Sequence, residues 1–181
     1  MNSFIKKIAF VINGKGGSGK DTICDILGKH FEVHNISTIT PIKEIASKYG
    51  GWDGGKSDKD RKFLSDLKQI FTDYNDLPNN YAVNEYKKFM SNPIEEVFFV
   101  HIREPENIEK FVRSVDGNCL TLLVRGGKSQ EVYGNTSDDN VENYPYDYIY
   151  NNTKSLDELE SDLLKFFEKI IDETEKRYLP H

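Results

Sequence analysis

Cysteine is nearly missing from the 181 residues: only Cys24 and Cys119 occur. They lie far apart in the sequence, each among apolar neighbours, so two buried thiols are the simpler reading, ahead of a disulfide or a metal pair. A basic excess is missing as well. Lys and Arg number 24 against 30 Asp and Glu, for a formal net charge of −6 and a pI near 5.3. Nucleic-acid-binding chains normally carry a basic excess or stripe, so that class is not expected. A nucleotide site stays open, because a few cations and backbone amides suffice for one. Long apolar runs are lacking too. Lys6-Lys7 precedes Ile8 to Ile12, but this run is too short for a signal peptide and stops at Asn13-Gly14. No stretch nears the ~20 apolar residues of a membrane span. A cytoplasmic chain without a membrane partner is expected.

What the sequence does have is aromatic residues, 11 Phe and 10 Tyr, enough to supply a core despite the high charge. The length suits one domain, residues 1–181, able to bury roughly 70% of its unfolded surface. Ile8 to Ile12 reads as a strand buried on both faces. A glycine-rich turn follows, then a helical pattern with Ile23, Ile26 and Leu27 on one side, then a strand over Phe31 to Ile39 with Val33, Ile36 and Ile39 facing a core. Strand, glycine turn, helix and strand make a βαβ opening.

Thr40-Pro41 reads as an N-cap followed by proline in the first helical position. That helix should bury Ile42, Ile45, Ala46 and Tyr49 and stop at Gly50-Gly51. A flexible stretch to Gly55 holds the only tryptophan, Trp52. Ser57 with Asp60 opens a helix burying Phe63, Leu64, Leu67, Ile70 and Phe71, and another runs from about Pro78 to Met90. Residues 41–91 thus read as a helical insertion between strands two and three. Strands follow at Glu96 to Ile102, Leu120 to Val124 and Tyr146 to Tyr150. A short helix starts at Pro105, with Ile108, Phe111 and Val112 inward. Residues 125–145 form a polar loop. Ser155 and Glu158 form a capping box for a last helix that carries Leu156, Leu159, Leu163, Leu164, Phe167, Ile170 and Ile171 on one face and frays after about Glu173. The alternation predicts an α/β fold: five parallel strands with helices on both faces. Ligands bind beyond the carboxyl ends of such strands. Gly14 to Lys20, His101 to Glu104, Arg125 to Lys128 and Asn151-Asn152 should gather there.

Gly14-Lys15-Gly16-Gly17-Ser18-Gly19-Lys20 fits G-x-x-x-x-G-K between a buried strand and a helix. Its glycines let successive N–H groups turn inward to form an anion nest. The helix N-terminus adds free donors and the positive end of its dipole. Lys20 would set an ammonium against the β- and γ-phosphates of a nucleotide. Lys15, inside the loop, is a candidate phosphate contact. The residue after Lys20, commonly a magnesium-binding Ser or Thr, is here Asp21, with Thr22 next.

The G-K-x-T ending resembles the nucleoside monophosphate kinases. The G-K-D-T form is similar to a narrower group, the phage-type deoxynucleoside monophosphate kinases and animal-type phosphomevalonate kinases, both P-loop kinases. Thr40-Pro41-Ile42-Lys43 looks like the segment after their second strand. Phe98 to Arg103 resembles their third strand, which ends in Asp-x-Arg. Val124-Arg125 with Lys128-Ser129 is similar to the strand end and lid start of the phage kinases, and Asp147 to Asn152 with Leu156 to Leu159 to their last strand, loop and helix. The resemblance spans most of the chain, and implies ATP and Mg2+ as cofactors and a phosphorylated small molecule as acceptor, in a monomer or homodimer.

It also distributes roles. Arg103 would grip the acceptor's phosphate with its guanidinium fork; a salt bridge to Glu104 or Glu106 is the structural alternative. Arg125 would be a lid residue over the ATP phosphates or adenine, or simply a solvated strand-end arginine. Lys43 and Arg61 fall where acceptor-binding helices belong. Asn152 borders the adenine site or forms a turn. One position departs: His101 stands where the family has Asp. A neutral imidazole is a poor magnesium ligand, so Asp21 either compensates, directly or through water, or the machinery is weaker. Ser137-Asp138-Asp139-Asn140 reads as an exposed acidic loop rather than a metal cluster, and His30 and His34 as ordinary surface or boundary residues. The expected activity is phosphoryl transfer from ATP to a nucleoside or deoxynucleoside monophosphate. Alternatives are a kinase for another phosphorylated metabolite, phosphomevalonate- or dephospho-coenzyme A-like, and a nucleotide-binding regulatory protein without turnover.

Overall fold

Alternating small segments of apolar sequence set up two cores, one on each face of a single sheet. The computed structural model describes residues 7–126 and 140–178. Five parallel strands are ordered β2-β3-β1-β4-β5. They are β1 (Ile8–Asn13), β2 (Val33–Ser37), β3 (Val97–His101), β4 (Leu120–Gly126) and β5 (Tyr148–Asn152). Successive side chains on a strand point to opposite faces. Phe10 and Ile12 of β1 therefore join Phe99, Leu122, Val124 and Tyr150 under helices α1 (Lys20–Leu27) and α6 (Leu156–Tyr178). Ala9 and Val11 join Phe98, Val100 and Ile102 on the other face, under α4 (Leu77–Ser91) and α5 (Pro105–Ser114). Burial on both faces is why β1 and β3 read as unbroken apolar runs. Among the described residues no helix is long and apolar enough to cross a membrane.

Between β2 and β3 lie the expected helices: α2 (Thr40–Gly50), α3 (Asp58–Asn75) and α4. The Ser57–Asp60 capping box forms in both directions, with the Ser57 hydroxyl accepting the Asp60 N–H and the Asp60 carboxylate accepting the Ser57 N–H. Several local expectations shift. Ile39, not Thr40, is the N-cap of α2, and Thr40 and Pro41 already lie in its first turn. α3 has no fully buried residue: Phe63 is 37% and Ile70 61% exposed, while Leu64, Leu67 and Phe71 are half-buried. Among the described residues this helix packs mainly against α2 and α4, its neighbours in the insertion, and none of its side chains joins either sheet core. Tyr49 likewise stays 76% exposed at the end of α2.

The strand at Tyr146 to Tyr150 begins two residues later, at Tyr148. The Asp147 carboxylate takes the N–H and hydroxyl of Thr121, and the Thr121 hydroxyl takes the Asp147 N–H, so a side-chain clasp occupies the first rung of the ladder. β4 runs on to Gly126, which places Arg125 opposite Asn151 and Gly126 opposite Asn152 inside the sheet. α6 continues to Tyr178 rather than fraying after Glu173. His34 is more than a boundary residue: its ring lies between Glu85 Oε2 at 3.1 Å and Glu95 Oε1 at 2.9 Å, linking β2 to α4 and to the turn before β3. His30 meets Glu160 Oε1 at 2.7 Å. The loop expected at 125–145 and the acidic run at 137–140 lie mostly outside the described residues, as do Lys128 and Ser129.

Lys7 ties the insertion to the sheet. Its ammonium donates to the carbonyls of Phe89 at 2.6 Å, Asn92 at 2.5 Å and Glu95 at 2.7 Å, and lies 4.3 Å from the Phe89 ring centre. All three donors are used, on two carbonyls at the end of α4, where a cation also complements the helix dipole, and on one in the turn before β3. Lys7→Met keeps the apolar stem but strands these carbonyls. It should lower the unfolding free energy by about 1–3 kcal/mol in urea denaturation, with the slope unchanged.

Candidate active site

The central position of β1 decides where a ligand can sit. β3 and β4 flank it on either side, so the chain leaves β1 at the point where strand order reverses, which is where sheets of this kind bind ligands. The turn from Asn13 to Lys20 occupies that point. Gly17 and Gly19 have φ of 75° and 93°, and Gly19 is the N-cap of α1. A Cβ on Gly14 would collide with the Val124 carbonyl oxygen, and one on Gly19 with the Asn152 amide nitrogen. Only glycine lets the loop lie this close to β4 and β5 while turning left-handed.

Asparagines hold the loop from two directions. Asn13, fully buried at the end of β1, accepts the Gly14 N–H at 2.8 Å through Oδ1. Its Nδ2 donates to the Arg103 carbonyl at 2.9 Å and to the Tyr146 hydroxyl at 2.8 Å. Asn152, the last residue of β5, donates from Nδ2 to the Ser18 carbonyl at 3.0 Å. Asn152 thus braces the phosphate loop from behind, and is a strand residue rather than a turn former. The Lys20 ammonium lies over the loop, 2.5 Å from the Gly14 carbonyl, 3.0 Å from that of Lys15 and 3.4 Å from Ser18 Oγ. The Lys15 carbonyl also takes the Ser18 N–H at 3.2 Å. Asp21 and Thr22 are exposed in the first turn of α1.

His101 closes β3 beside this loop. Its Nε2 is 2.9 Å from Asn35 Oδ1 and 3.9 Å from Cys24 Sγ. Burial drives its pKa down to about 4, against a pull upward from Asp21 and further lowering from Lys20 and Arg103. The imidazole is therefore neutral near pH 7, and the three charges it senses are those of the candidate site. Burial likewise pushes the Cys24 thiol up to about 12, with Asp21 and Asp25 adding to the shift, and the Cys119 thiol up to about 12. Both are free; Cys24 is buried as expected, while Cys119 is only partly buried.

Arg103 follows β3 with an exposed side chain. Its neighbour Glu104 is ion-paired: Glu104 Oε1 meets Lys68 Nζ at 2.8 Å, and this contact with α3 helps hold Glu104 ionised. Arg125 is not simply solvated. Its Nε lies 3.1 and 3.0 Å from the two Glu142 oxygens and its Nη2 2.6 Å from Oε2. Glu142 belongs to a short 3-10 turn at Val141–Asn143. Lys43 on α2 and Arg61 on α3 are exposed. Among the described residues, no hydrogen bond or ion pair joins either one to the phosphate loop. The structure thus brings together Gly14 to Thr22, Arg103 and Asn152, and leaves Lys43 and Arg61 on the insertion. Asn13, Tyr146, Glu142 and Asn35 were not singled out from sequence. Asn13 alone gave a signal, as the one polar residue ending an apolar strand before the first glycine.

The residues present fit a nucleotide and magnesium. The cradle is one that side chains would fill, and its ammonium rests on backbone carbonyls that a polyphosphate could replace as its partner. Among the described residues no group of three or more His, Cys, Asp or Glu could hold a metal by itself. Magnesium commonly takes one or two carboxylates, waters and substrate phosphates, and Asp21 with the Thr22 hydroxyl offers that set. His101, neutral and engaged with Asn35, does not.

No protein-family model matches this sequence, and no curated protein does. Solved structures do resemble it. The shikimate kinase from Acinetobacter baumannii, in complex with shikimate, superposes with a TM-score of 0.51 at 8% identity, over 94% of this chain and 97% of that one. A gluconokinase from Sinorhizobium meliloti gives 0.49 at 13% identity, over 97% and 99%. A shikimate kinase from Bacteroides thetaiotaomicron gives 0.49 at 16% identity, over 90% and 98%. The fold is the one the shikimate kinase from Acinetobacter baumannii has.

His101 makes stability depend on pH. Its pKa falls from 6.5 to about 4 on folding, so the unfolded chain binds more protons between those values. The stabilisation is complete above the unfolded value and is lost as pH falls towards 4. Between pH 7 and pH 5, wild type should lose on the order of 1–2 kcal/mol more unfolding free energy than His101→Gln. Urea titrations at the two pH values measure the difference.

Proposed function

We propose that this chain is a kinase that uses ATP and magnesium to phosphorylate a phosphorylated small molecule, a nucleoside or deoxynucleoside monophosphate. The observation that carries the reading is the braced glycine loop with Lys20 at its mouth, joined by one side chain, Asn13, to the backbone of Arg103. An oxygen of the acceptor's phosphate attacks the γ-phosphorus as the bond to the ADP oxygen breaks. Charge then spreads over the transferring oxygens, and positioning plus electrostatic stabilisation supply the catalysis. Loop amides and Lys20 hold the donor's phosphates. The Arg103 fork holds the acceptor's phosphate. Asp21 and Thr22 would hold magnesium or its waters, and the ion would supply neutralising charge on the donor's phosphates. The fold shared with a shikimate kinase supports a small-molecule acceptor, and the G-K-D-T ending supports the phosphorylated class.

His101 favours a second reading. With no carboxylate at the end of β3, the chain could bind nucleotide as a regulatory protein without turnover. Two variants separate the readings. Lys20→Ala should abolish the rise in melting temperature that ATP and magnesium give the wild type, under both. Arg103→Ala should lower kcat for diphosphate formation by roughly 100-fold while sparing that rise, under the kinase reading only. A purified wild type that is stabilised by ATP yet converts no phosphorylated acceptor would leave the regulatory reading.

A further inference from the structure

The Tyr146 hydroxyl stands between the phosphate loop and the segment that begins at Asn140. It receives a hydrogen bond from Asn13 Nδ2 at 2.8 Å and gives one to the Val141 carbonyl at 2.8 Å. Val141 is fully buried and starts the 3-10 turn whose Glu142 clasps Arg125. The same Asn13 nitrogen holds the Arg103 carbonyl, and the Asn13 oxygen holds the Gly14 N–H. The amide orientation is fixed by these partners, since Oδ1 faces a donor and Nδ2 a carbonyl. Every polar atom of the pair has a partner, so the network is rigid and a single deletion leaves buried groups unmatched. Burial pushes the Tyr146 phenol up to about 12, so it remains a donor at any working pH. The Tyr146 ring packs edge-on against Tyr144 at 5.2 Å, which keeps it in place without its hydroxyl.

Three segments thus meet on one amide and one phenol: the first peptide of the phosphate loop, the peptide of Arg103, and the 3-10 turn. We infer that Asn13 and Tyr146 are positioning residues that fix Arg103 and the 3-10 turn against the phosphate loop, so that filling the loop orders the other two. This rests on the kinase reading above. Neither side chain needs to touch a substrate; each acts through the backbone it holds. A hydrogen-bonded link of this kind sets the separation of donor and acceptor phosphates, on which transfer depends steeply.

Amide hydrogen exchange with and without a non-hydrolysable ATP analogue and magnesium tests it on the full chain. In wild type, the analogue should slow exchange in residues 14–22 and, with it, in 101–104 and 141–147. In Tyr146→Phe the protection of 14–22 should persist, while that of 141–147 is lost. In Asn13→Ser, whose hydroxyl can still reach the Gly14 N–H but not Arg103 or Tyr146, the protection of both distant segments should go. Turnover of Tyr146→Phe should show kcat lowered on the order of tenfold with KM for ATP within about twofold. Protection of all three segments in both variants, as in wild type, overturns the inference and leaves the kinase reading standing. Wild type with no protection at 14–22 overturns both. If Tyr146→Phe exchanges faster throughout without nucleotide, Asn13→Ser decides by the same comparison. Faster exchange throughout in both variants marks a merely structural pair and overturns the inference.

Discussion

Between Asn13 and Lys20 the backbone leaves a buried strand, turns left-handed at Gly17 and Gly19, and enters a helix within a few residues. Such a turn points several N–H groups toward one place, where an anion or water can meet them. The sheet supplies what makes it tolerable. Asn13 takes the first N–H, and Asn152 pins the loop's far side through the Ser18 carbonyl. The remaining geometry follows from this segment. β1 must be central and buried to carry it, β4 and β5 must pass close behind it, and glycine must stand wherever those strands press.

Electrostatics follow from the same placement. His101, Arg103, Asp21 and Lys20 converge because β3 lies beside β1 and ends level with it, in the register Ile12 to His101. Burial keeps the imidazole neutral, so His101 adds no positive charge beside Lys20, Arg103 and Asp21. Lys68 of α3 pairs with Glu104, next to Arg103 in sequence. An acidic chain can in this way concentrate positive charge at one point while its net charge stays negative.

Much of this was legible in the residues. The glycine loop, the apolar runs of β1, β3 and β4, and the Ser57–Asp60 cap each carry their signal within a few neighbouring positions. The remainder was not local. Phe63 and Ile70 look like core residues by spacing, but spacing cannot say that no sheet lies beneath α3. The start of β5 depends on Asp147 meeting Thr121, 26 residues away in sequence. Arg125 finds Glu142, 17 residues further on in sequence, and Asn152 becomes a brace only because β5 passes behind the glycines. Asn13 was visible as an oddity without a meaning, since its partners, Arg103 and Tyr146, come from 90 and 133 residues further on.

The central claim is that the amides of this loop grip a chain of phosphates. Backbone amide NMR of the labelled protein, titrated with an ATP analogue and magnesium and then with adenosine alone, addresses it directly. The account predicts large, saturable shifts for Gly16 to Asp21 with the triphosphate and none of that size with adenosine. Equal shifts from both, or triphosphate binding that leaves these amides unmoved, would contradict it.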